Sequence, residues 1–282
     1  MDDLVTSEWL AGCLDDPRLV ILDASWHLPG TGRDTAAEFA AGHIPGARFL
    51  DLGSFIDPAS EVPAAVPTAA QFSERLQQLG IGEGDCVVLY DDSTIRTAAR
   101  AWFIFRLHGF ASVAILDGGL GKWRAEQRPL AAGQPEPREA QVWHPGSGAF
   151  ATRSKHDLLA NLAHHREQAV DARSPGRFAG TDPEPREGME SGHIPGSINL
   201  PYSAVLREDG NFKSLDALRS LFTKAGISLD RPVITTCGSG VTAAVVLFAL
   251  HLTGKTDVAL YDGSWAEWGA DPLTPKASEG PI

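Results

Sequence analysis

Cysteine is scarce in this chain: only Cys13, Cys86 and Cys237 occur among 282 residues. The odd number and the lack of a Cys-x-x-Cys pair argue against a disulfide framework and against a structural zinc site. We therefore expect no bound metal. The same cysteine usage fits a reducing compartment in which one thiol does chemical work.

Positive charge is also limited, because 24 Lys and Arg face 36 Asp and Glu, for a formal charge of -12. A surface with this balance repels nucleic acid and anionic lipid. We expect no nucleic-acid partner and no membrane partner. A small anionic substrate would need a local cationic pocket.

Long hydrophobic runs and targeting signals are missing too. The longest apolar run, residues 241–250, is interrupted by Thr242 and falls well short of the ~20 residues that span a membrane. The chain opens with Met-Asp-Asp, acidic where a signal peptide is basic and then apolar. We expect a cytoplasmic protein. Neither half carries a Gly-x-Gly-x-x-Gly turn or a P-loop, so no nucleotide or flavin cofactor is expected.

The chain repeats itself. The motif Gly-His-Ile-Pro-Gly at residues 42–46 returns 150 residues later at 192–196. Matches in the same order indicate a duplicated domain. The further matching pairs are residues 22–25 with 170–173, residues 116–119 with 261–264, and Trp123 with Trp268.

Each copy alternates strand signals with helix signals. Short continuous apolar runs are typical of buried parallel strands, and Phe72, Leu76 and Leu79 recur at helical spacing between them. The apolar runs are residues 20–23, 47–50, 86–90 and 113–116, and then 169–170, 197–200, 233–236 and 258–261. The expected helix caps are Thr68 and Ser214 at N-termini and Gly80 and Gly226 at C-termini.

This alternation predicts an α/β fold with two tandem domains, each a parallel β-sheet flanked by helices. We place the domains at residues 1–133 and 150–282. Residues 134–149, rich in Pro and Gly, are predicted to be the linker. Because the motif is present in both copies, His43 and His193 are predicted to be structural residues.

The two copies differ at one informative position. After the matching runs 87–90 and 233–236, the next residue is Asp91 in the first copy and Cys237 in the second. This is the carboxyl end of a strand, where open α/β sheets place their chemistry. The glycines that follow Cys237 let backbone N–H groups turn inward, and with a helix N-terminus they stabilise a thiolate. We predict that Cys237 is a nucleophile, and that Cys13 and Cys86 are structural.

Several cysteine chemistries need residues that this loop lacks. A cysteine phosphatase needs the pattern Cys-x5-Arg, and after the five residues that follow Cys237 this chain has Ala243. A papain-like pair needs a histidine base, and the histidines of the repeated motif are duplicated and predicted structural. Sulfur transfer needs only a thiolate, amides that stabilise its charge and a group that holds the donor.

The chain resembles the two-domain rhodanese-type sulfurtransferases over essentially its whole length. The resemblance rests on both Gly-His-Ile-Pro-Gly copies, on residues 23–26 and 261–265, and on the Asp91/Cys237 difference. The loop 237–243 and the segments 176–178 and 184–188 are similar to the 3-mercaptopyruvate branch of this family. The thiosulfate branch typically places Arg and Lys after the cysteine, and this loop has neither.

The resemblance implies two rhodanese-like domains, of which the first, with Asp91, is non-catalytic. It implies that Cys237 takes sulfur from 3-mercaptopyruvate as a persulfide and passes it to a thiol, cyanide or thioredoxin-like acceptor. It also implies that Arg177 and Arg186 bind the anionic donor; the alternative is that they form solvated salt bridges with nearby glutamates. The residues implied to bind substrate from the loop are Gly238, Ser239, Gly240, Val241 and Thr242.

Three departures from the family pattern bear on mechanism. Gly53 stands where the family has the acidic residue of a proposed Ser–His–Asp relay, and residues 64–66 lack its histidine. We therefore expect no such relay. Arg96 stands where the family often has a substrate-facing tyrosine, and it is either a further cationic contact for the donor or a surface residue.

Two other functions compete with this one. A thiosulfate:cyanide sulfurtransferase differs in only a few loop residues. A non-catalytic sulfur-carrier or redox-sensing interaction module would keep a reactive cysteine but would have no need of Arg177, Arg186 and the loop glycines.

Overall fold

The computed structural model describes residues 1–278, which fold as two compact units. Each unit takes most of one sequence half, and two short segments cluster with the other half. The first unit consists of Met1–Asp57, Val66–Ala149 and Glu208–Phe212, and the second of Pro58–Ala65, Phe150–Arg207 and the described residues from Lys213 on.

Residues 134–149, predicted to be a linker, pack onto the first unit. The backbone N–H of Gly146 donates to the carbonyl of His108 at 3.1 Å, and that of Ala149 donates to Arg106 at 3.1 Å. Trp143 meets the ring of Phe72 edge-on, with 5.1 Å between ring centroids. The segment is therefore anchored by hydrogen bonds and an aromatic contact, and it extends the first unit beyond the predicted boundary at residue 133.

The first unit contains a parallel five-stranded sheet with strand order β1-β5-β4-β2-β3. Its strands are β1 (Leu4–Val5), β2 (Leu19–Asp23), β3 (Arg48–Phe49), β4 (Cys86–Tyr90) and β5 (Val113–Leu116). Its helices are α1 (Ser7–Ala11), α2 (Thr35–Ala41), α3 (Ala69–Leu79), α4 (Ala98–Leu107) and α5 (Gly119–Ala125).

The second unit repeats this order as β6-β10-β9-β7-β8, again all parallel. Its strands are β6 (Ala151–Arg153), β7 (Gln168–Asp171), β8 (Ile198–Asn199), β9 (Val233–Thr236) and β10 (Val258–Tyr261). Its helices are α6 (Lys155–His164), α7 (Pro175–Ala179), the 3-10 turn Tyr202–Val205, α8 (Leu215–Lys224), α9 (Val241–Leu252) and α10 (Ser264–Trp268). Two α/β units with parallel sheets confirm the predicted fold class.

The repeated histidines have structural contacts in both units. His43 and His193 are buried, and each places Nδ1 2.8 Å from a backbone carbonyl, that of Phe39 and that of Phe178 respectively. Each ring also stacks on the phenylalanine whose carbonyl it meets, with centroids 4.1 and 3.8 Å apart. Through these contacts, each histidine fixes the turn that leads into the next strand.

The two sheets present corresponding positions at their carboxyl ends. β4 ends at Tyr90 and is followed by Asp91, and β9 ends at Thr236 and is followed by Cys237. All four residues of β9 are buried, so this central strand holds the cysteine in a fixed place at the carboxyl end of the sheet.

Candidate active site

Cys237 lies between β9 and α9 and is 2% exposed. Only three residues separate it from the first residue of α9. The last of them, Gly240, has φ 75° and so occupies the left-handed region that favours glycine. This tight turn brings the cysteine to the N-terminus of a twelve-residue helix.

The backbone of this turn is held by the start of α10. The N–H of Trp265 donates to the carbonyl of Cys237 at 2.9 Å, and the N–H of Ala266 donates to that of Gly238 at 2.9 Å. The Cys237 N–H donates to Oγ of Ser264 at 3.2 Å. Because its own amide is already engaged, any amides that stabilise charge on the Cys237 sulfur come from the residues that follow it.

The corresponding turn of the first unit already holds an anion. Asp91 is buried, and its two carboxylate oxygens accept hydrogen bonds from the N–H groups of Ser93 at 3.0 Å and Ala98 at 2.8 Å. Ala98 is the first residue of α4, so this carboxylate caps that helix. Burial raises the pKa of Asp91 to about 6, while the two amides and the Arg96 guanidinium oppose that rise.

No side chain caps α9 in the same way among residues 1–278. Its N-cap, Gly240, has no side chain to offer, and the first N–H groups of a helix have no partner inside the helix. The partial positive charge at that end favours an anion. The arrangement can therefore accept a thiolate or a persulfide where its twin accepts a carboxylate.

Arg177, predicted to bind the donor, lies beside this turn. A Cβ atom on Gly238 would lie 3.2 Å from Nη2 of Arg177, so glycine permits the close approach of the guanidinium to the loop. Arg177 also pairs with Glu184, with Nε at 3.2 Å from Oε1 and Nη2 at 2.5 Å from Oε2. The salt bridge weighed as the alternative role is thus present, but the Glu184 side chain is only 2% exposed and the pair is not a solvated one.

The other predicted contacts are placed differently. Arg186 is exposed and makes no hydrogen bond or ion pair with any residue in 1–278. In the loop, Gly238, Ser239 and Thr242 are partly exposed, whereas Gly240 and Val241 are buried. Arg96 belongs to the first unit, where it lines a small cavity with Asp91 and lies against Gly210.

Three residues near Cys237 escaped the sequence-based prediction of the site. Ser264 and Glu184 were included in segments that resemble the family, and Arg173 was matched to Ser25, but none of the three was assigned a role in the site. The signal was present in the repeat itself, because Arg173 and Ser264 replace Ser25 and Gly119 at matching positions. Substitutions between the copies that add a polar side chain near the cysteine mark residues of the site.

Neither a metal site nor a membrane-spanning helix is found in the part of the chain that the structure describes. No group of three or more His, Cys, Asp or Glu side chains there is arranged to hold a metal ion. None of its helices is long and apolar enough to cross a membrane.

Comparison with known proteins gives consistent matches over most of the chain. The rhodanese-like domain model matches twice, at residues 6–126 and 154–271. The chain is 43% identical over 271 residues to the 3-mercaptopyruvate sulfurtransferase of Homo sapiens, covering 94% of this chain and 91% of that one. It is 39% identical over 272 residues to the thiosulfate sulfurtransferase of Bos taurus, with 94% and 91% covered. The crystal structure of the 3-mercaptopyruvate sulfotransferase from Escherichia coli superposes with a TM-score of 0.84 at 36% identity, covering 94% of this chain and 99% of that one.

Proposed function

Because the chain belongs to the rhodanese family of sulfurtransferases and carries two rhodanese-like domains, we propose that it moves a sulfur atom from 3-mercaptopyruvate to a thiol, cyanide or thioredoxin-like acceptor through a persulfide on Cys237. One observation carries the assignment of the nucleophile. Cys237 occupies the turn whose twin binds the Asp91 carboxylate, and the helix that follows Cys237 has no side-chain cap.

The reaction proceeds by two displacements. The Cys237 thiolate attacks the sulfur of 3-mercaptopyruvate, a sulfur–sulfur bond forms, and the carbon–sulfur bond breaks. The electron pair of that bond leaves with the carbon as the enolate of pyruvate, which takes a proton from solvent. In the second step the acceptor, as a thiolate or cyanide, attacks the outer sulfur and Cys237 leaves as a thiolate.

The residues around Cys237 divide the remaining work. The amides of residues 239–242 stabilise negative charge on the sulfur, and Ser239 donates a hydrogen bond to the donor or to the sulfur. Arg177 holds the carboxylate of the donor, since a guanidinium grips a carboxylate with two parallel hydrogen bonds. Arg186, which is exposed, adds a second cation for the same group. No Ser–His–Asp relay is part of this proposal, because Gly53 and residues 64–66 do not supply its acid and histidine.

Thiosulfate is the second candidate donor, and the 39% identity to a thiosulfate sulfurtransferase favours keeping it. The absence of Arg and Lys between Cys237 and α9 supports mercaptopyruvate instead. A cytoplasmic place of action also belongs to the proposal, supported by the cysteine usage of the chain.

The test is intact-mass analysis after treatment with each donor. Wild type is expected to gain one sulfur atom from 3-mercaptopyruvate, and Cys237→Ser is expected to gain none, while the control Cys86→Ser behaves as wild type. A sulfur gain on Cys237→Ser would overturn the assignment of the nucleophile. Steady-state kinetics then decide the donor, because specificity is the ratio of the kcat/KM values for the two donors. A kcat/KM for thiosulfate equal to or higher than that for 3-mercaptopyruvate would overturn the choice of mercaptopyruvate.

A further inference from the structure

We propose that Glu184, fixed in place by Arg173, positions Arg177 at the cysteine loop and thereby sets the affinity of the site for the carboxylate of the donor. This inference rests on the proposed function, because it assigns Arg177 the role described there. Glu184 and Arg173 act through Arg177, so both are positioning residues.

Glu184 is a buried carboxylate shared between two arginines. Its Oε1 accepts from Nη1 of Arg173 at 2.9 Å and from Nε of Arg177 at 3.2 Å, and its Oε2 accepts from Nη2 of Arg177 at 2.5 Å. Both carboxylate oxygens are therefore engaged by arginine donors, and the side chain cannot rotate without breaking a charge-assisted bond.

Arg173 ties this carboxylate to the sheet. Its guanidinium bonds Asp171, the last residue of β7, through Nε at 3.1 Å and Nη2 at 2.6 Å, and Nη2 also donates to the carbonyl of Gly192 at 2.8 Å. The guanidinium lies 4.3 Å from the ring centroid of Trp265, which itself bonds the carbonyl of Cys237. The same arginine thus contacts the support of the cysteine turn and the carboxylate that holds Arg177.

The network alternates in charge and ends at Arg177. The charges of Asp171 and Glu184 are balanced by those of Arg173 and Arg177. The side chains of Asp171, Arg173 and Glu184 are at most 2% exposed, whereas that of Arg177 is 25% exposed. Glu184 occupies the Nε side of the Arg177 fork, which leaves Nη1 without a partner among the described residues. A ligand carboxylate can use that free edge while the guanidinium stays fixed, so it binds a pre-oriented group.

The first unit has no arginine at the position that matches Arg173. Ser25 stands where the second unit has Arg173, and its hydroxyl accepts from the N–H of Asp92 at 2.9 Å. The arginine network therefore occurs in the unit that has the cysteine. This association fits a role in binding the donor, whereas a purely structural role would be equally useful in both units.

The test compares Glu184→Gln with wild type in steady-state kinetics with 3-mercaptopyruvate. The amide can accept from one arginine but presents its own donors to the other, so Arg177 loses its fixed orientation. We expect KM to rise about tenfold, with kcat within about twofold, as loss of one oriented charge-assisted contact predicts. Glu187→Gln, which removes an exposed carboxylate from the same segment, is the matched control and should leave both constants unchanged.

A double-mutant cycle separates positioning from a general effect on the fold. In an Arg177→Ala background, Glu184→Gln should raise KM no further, because its effect passes through Arg177. An unchanged KM for folded Glu184→Gln, or the same tenfold rise in the Arg177→Ala background, would overturn the inference. If Glu184→Gln does not fold, Glu184→Asp, which is too short to reach both arginines, takes its place with the same expected result.

A binding measurement keeps this inference distinct from the proposed function. Pyruvate carries the same carboxylate, and its affinity for Cys237→Ser can be measured by calorimetry without turnover. The affinity should fall about tenfold when Glu184→Gln is added, in line with the change in KM. Wild-type protein that takes no sulfur on Cys237 would reject the proposed function, whereas equal pyruvate affinities would reject the positioning role alone.

Discussion

The carboxylate of Asp91 and the thiol of Cys237 occupy matching turns, and their surroundings suit different tasks. The Asp91 carboxylate accepts hydrogen bonds from the N–H groups of Ser93 and of Ala98 at the start of α4, so these groups are not available to a ligand. Cys237 leaves the start of α9 uncapped. The first turn is therefore closed by its own carboxylate, whereas the second turn can carry a charged sulfur.

Burial of Asp91 predicts a dependence of stability on pH. Its pKa rises from 3.8 to about 6, chiefly because burial disfavours the charged form, so the folded protein binds more protons than the unfolded chain between these values. Stability is therefore highest below about pH 4 with respect to this group and falls as pH rises to about 6, by about 3 kcal/mol in total.

This prediction is measured by urea unfolding of wild type and Asp91→Asn at pH 4 and pH 7. The difference in unfolding free energy between the two proteins should shift by about 2 kcal/mol between the two pH values, with wild type losing relative to the variant. Asp2→Asn, at an exposed position, should show no such shift. A pH-independent difference for Asp91→Asn would contradict the raised pKa.

The central strands form where the sequence has continuous apolar runs. The bounds predicted for β4, β5, β9 and β10 are those observed. The strands β1 and β6, of two and three residues, were not predicted, and each pairs with one neighbour at the edge of a sheet. Their strand state depends on β5 and β10, which lie far away in sequence.

Helix ends follow local chemistry closely. Thr68 and Ser214 cap α3 and α8 as predicted, and Gly80 ends α3 in the left-handed conformation with φ 68°. The expected cap Gly226 instead follows the cap residue Ala225 of α8 and has φ 79°. The cap and the left-handed glycine are thus split between two residues at that end.

The capping box of α3 predicts a measurable contribution to stability. Thr68 accepts from the N–H of Gln71 at 3.4 Å, and its own N–H donates to Oε1 of Gln71 at 2.7 Å. Thr68→Ala removes the side-chain oxygen and should lower the free energy of unfolding by about 1 kcal/mol in urea denaturation. Thr68→Ser, which keeps the hydroxyl, should stay close to wild type, and an equal loss for both variants would show that the methyl group is responsible.

At the scale of the whole molecule, the two copies of one fold differ in the polar side chains at matching positions. The first unit has Asp91, Ser25 and Gly119 where the second has Cys237, Arg173 and Ser264. Helix α4 also begins seven residues after Asp91, whereas α9 begins four residues after Cys237. The exchange of Asp91 for Cys237 is therefore only one of several differences.

These differences predict that a cysteine alone does not restore the first unit. In a Cys237→Ser background, Asp91→Cys should gain no sulfur from 3-mercaptopyruvate, because the longer turn and the missing arginine network remain. Intact-mass analysis checks this, with wild type as the positive control and urea unfolding as the check on folding. Sulfur on the substituted position at the wild-type level would show that the turn alone is sufficient.

The sequence by itself determined the fold class and the central strands, and it predicted Cys237 as the nucleophile. Apolar runs report burial directly, and the duplication supplies an internal comparison in which Cys237 stands opposite Asp91 at the carboxyl end of a strand. Motifs are contiguous in the chain and can therefore be matched along the sequence. This is why Asp91 and Cys237 could be aligned, and why the family resemblance pointed to Arg177.

Tertiary structure decided what those motifs touch. Glu184, Glu187 and Glu190 look alike in the sequence, yet only the fold buries Glu184 between two arginines. Packing also placed residues 134–149 on the first unit and distributed the segments 58–65 and 208–212 between the units. Such contacts join residues that are distant along the chain, and no local spacing or propensity records them, so the support of Cys237 became visible only in three dimensions.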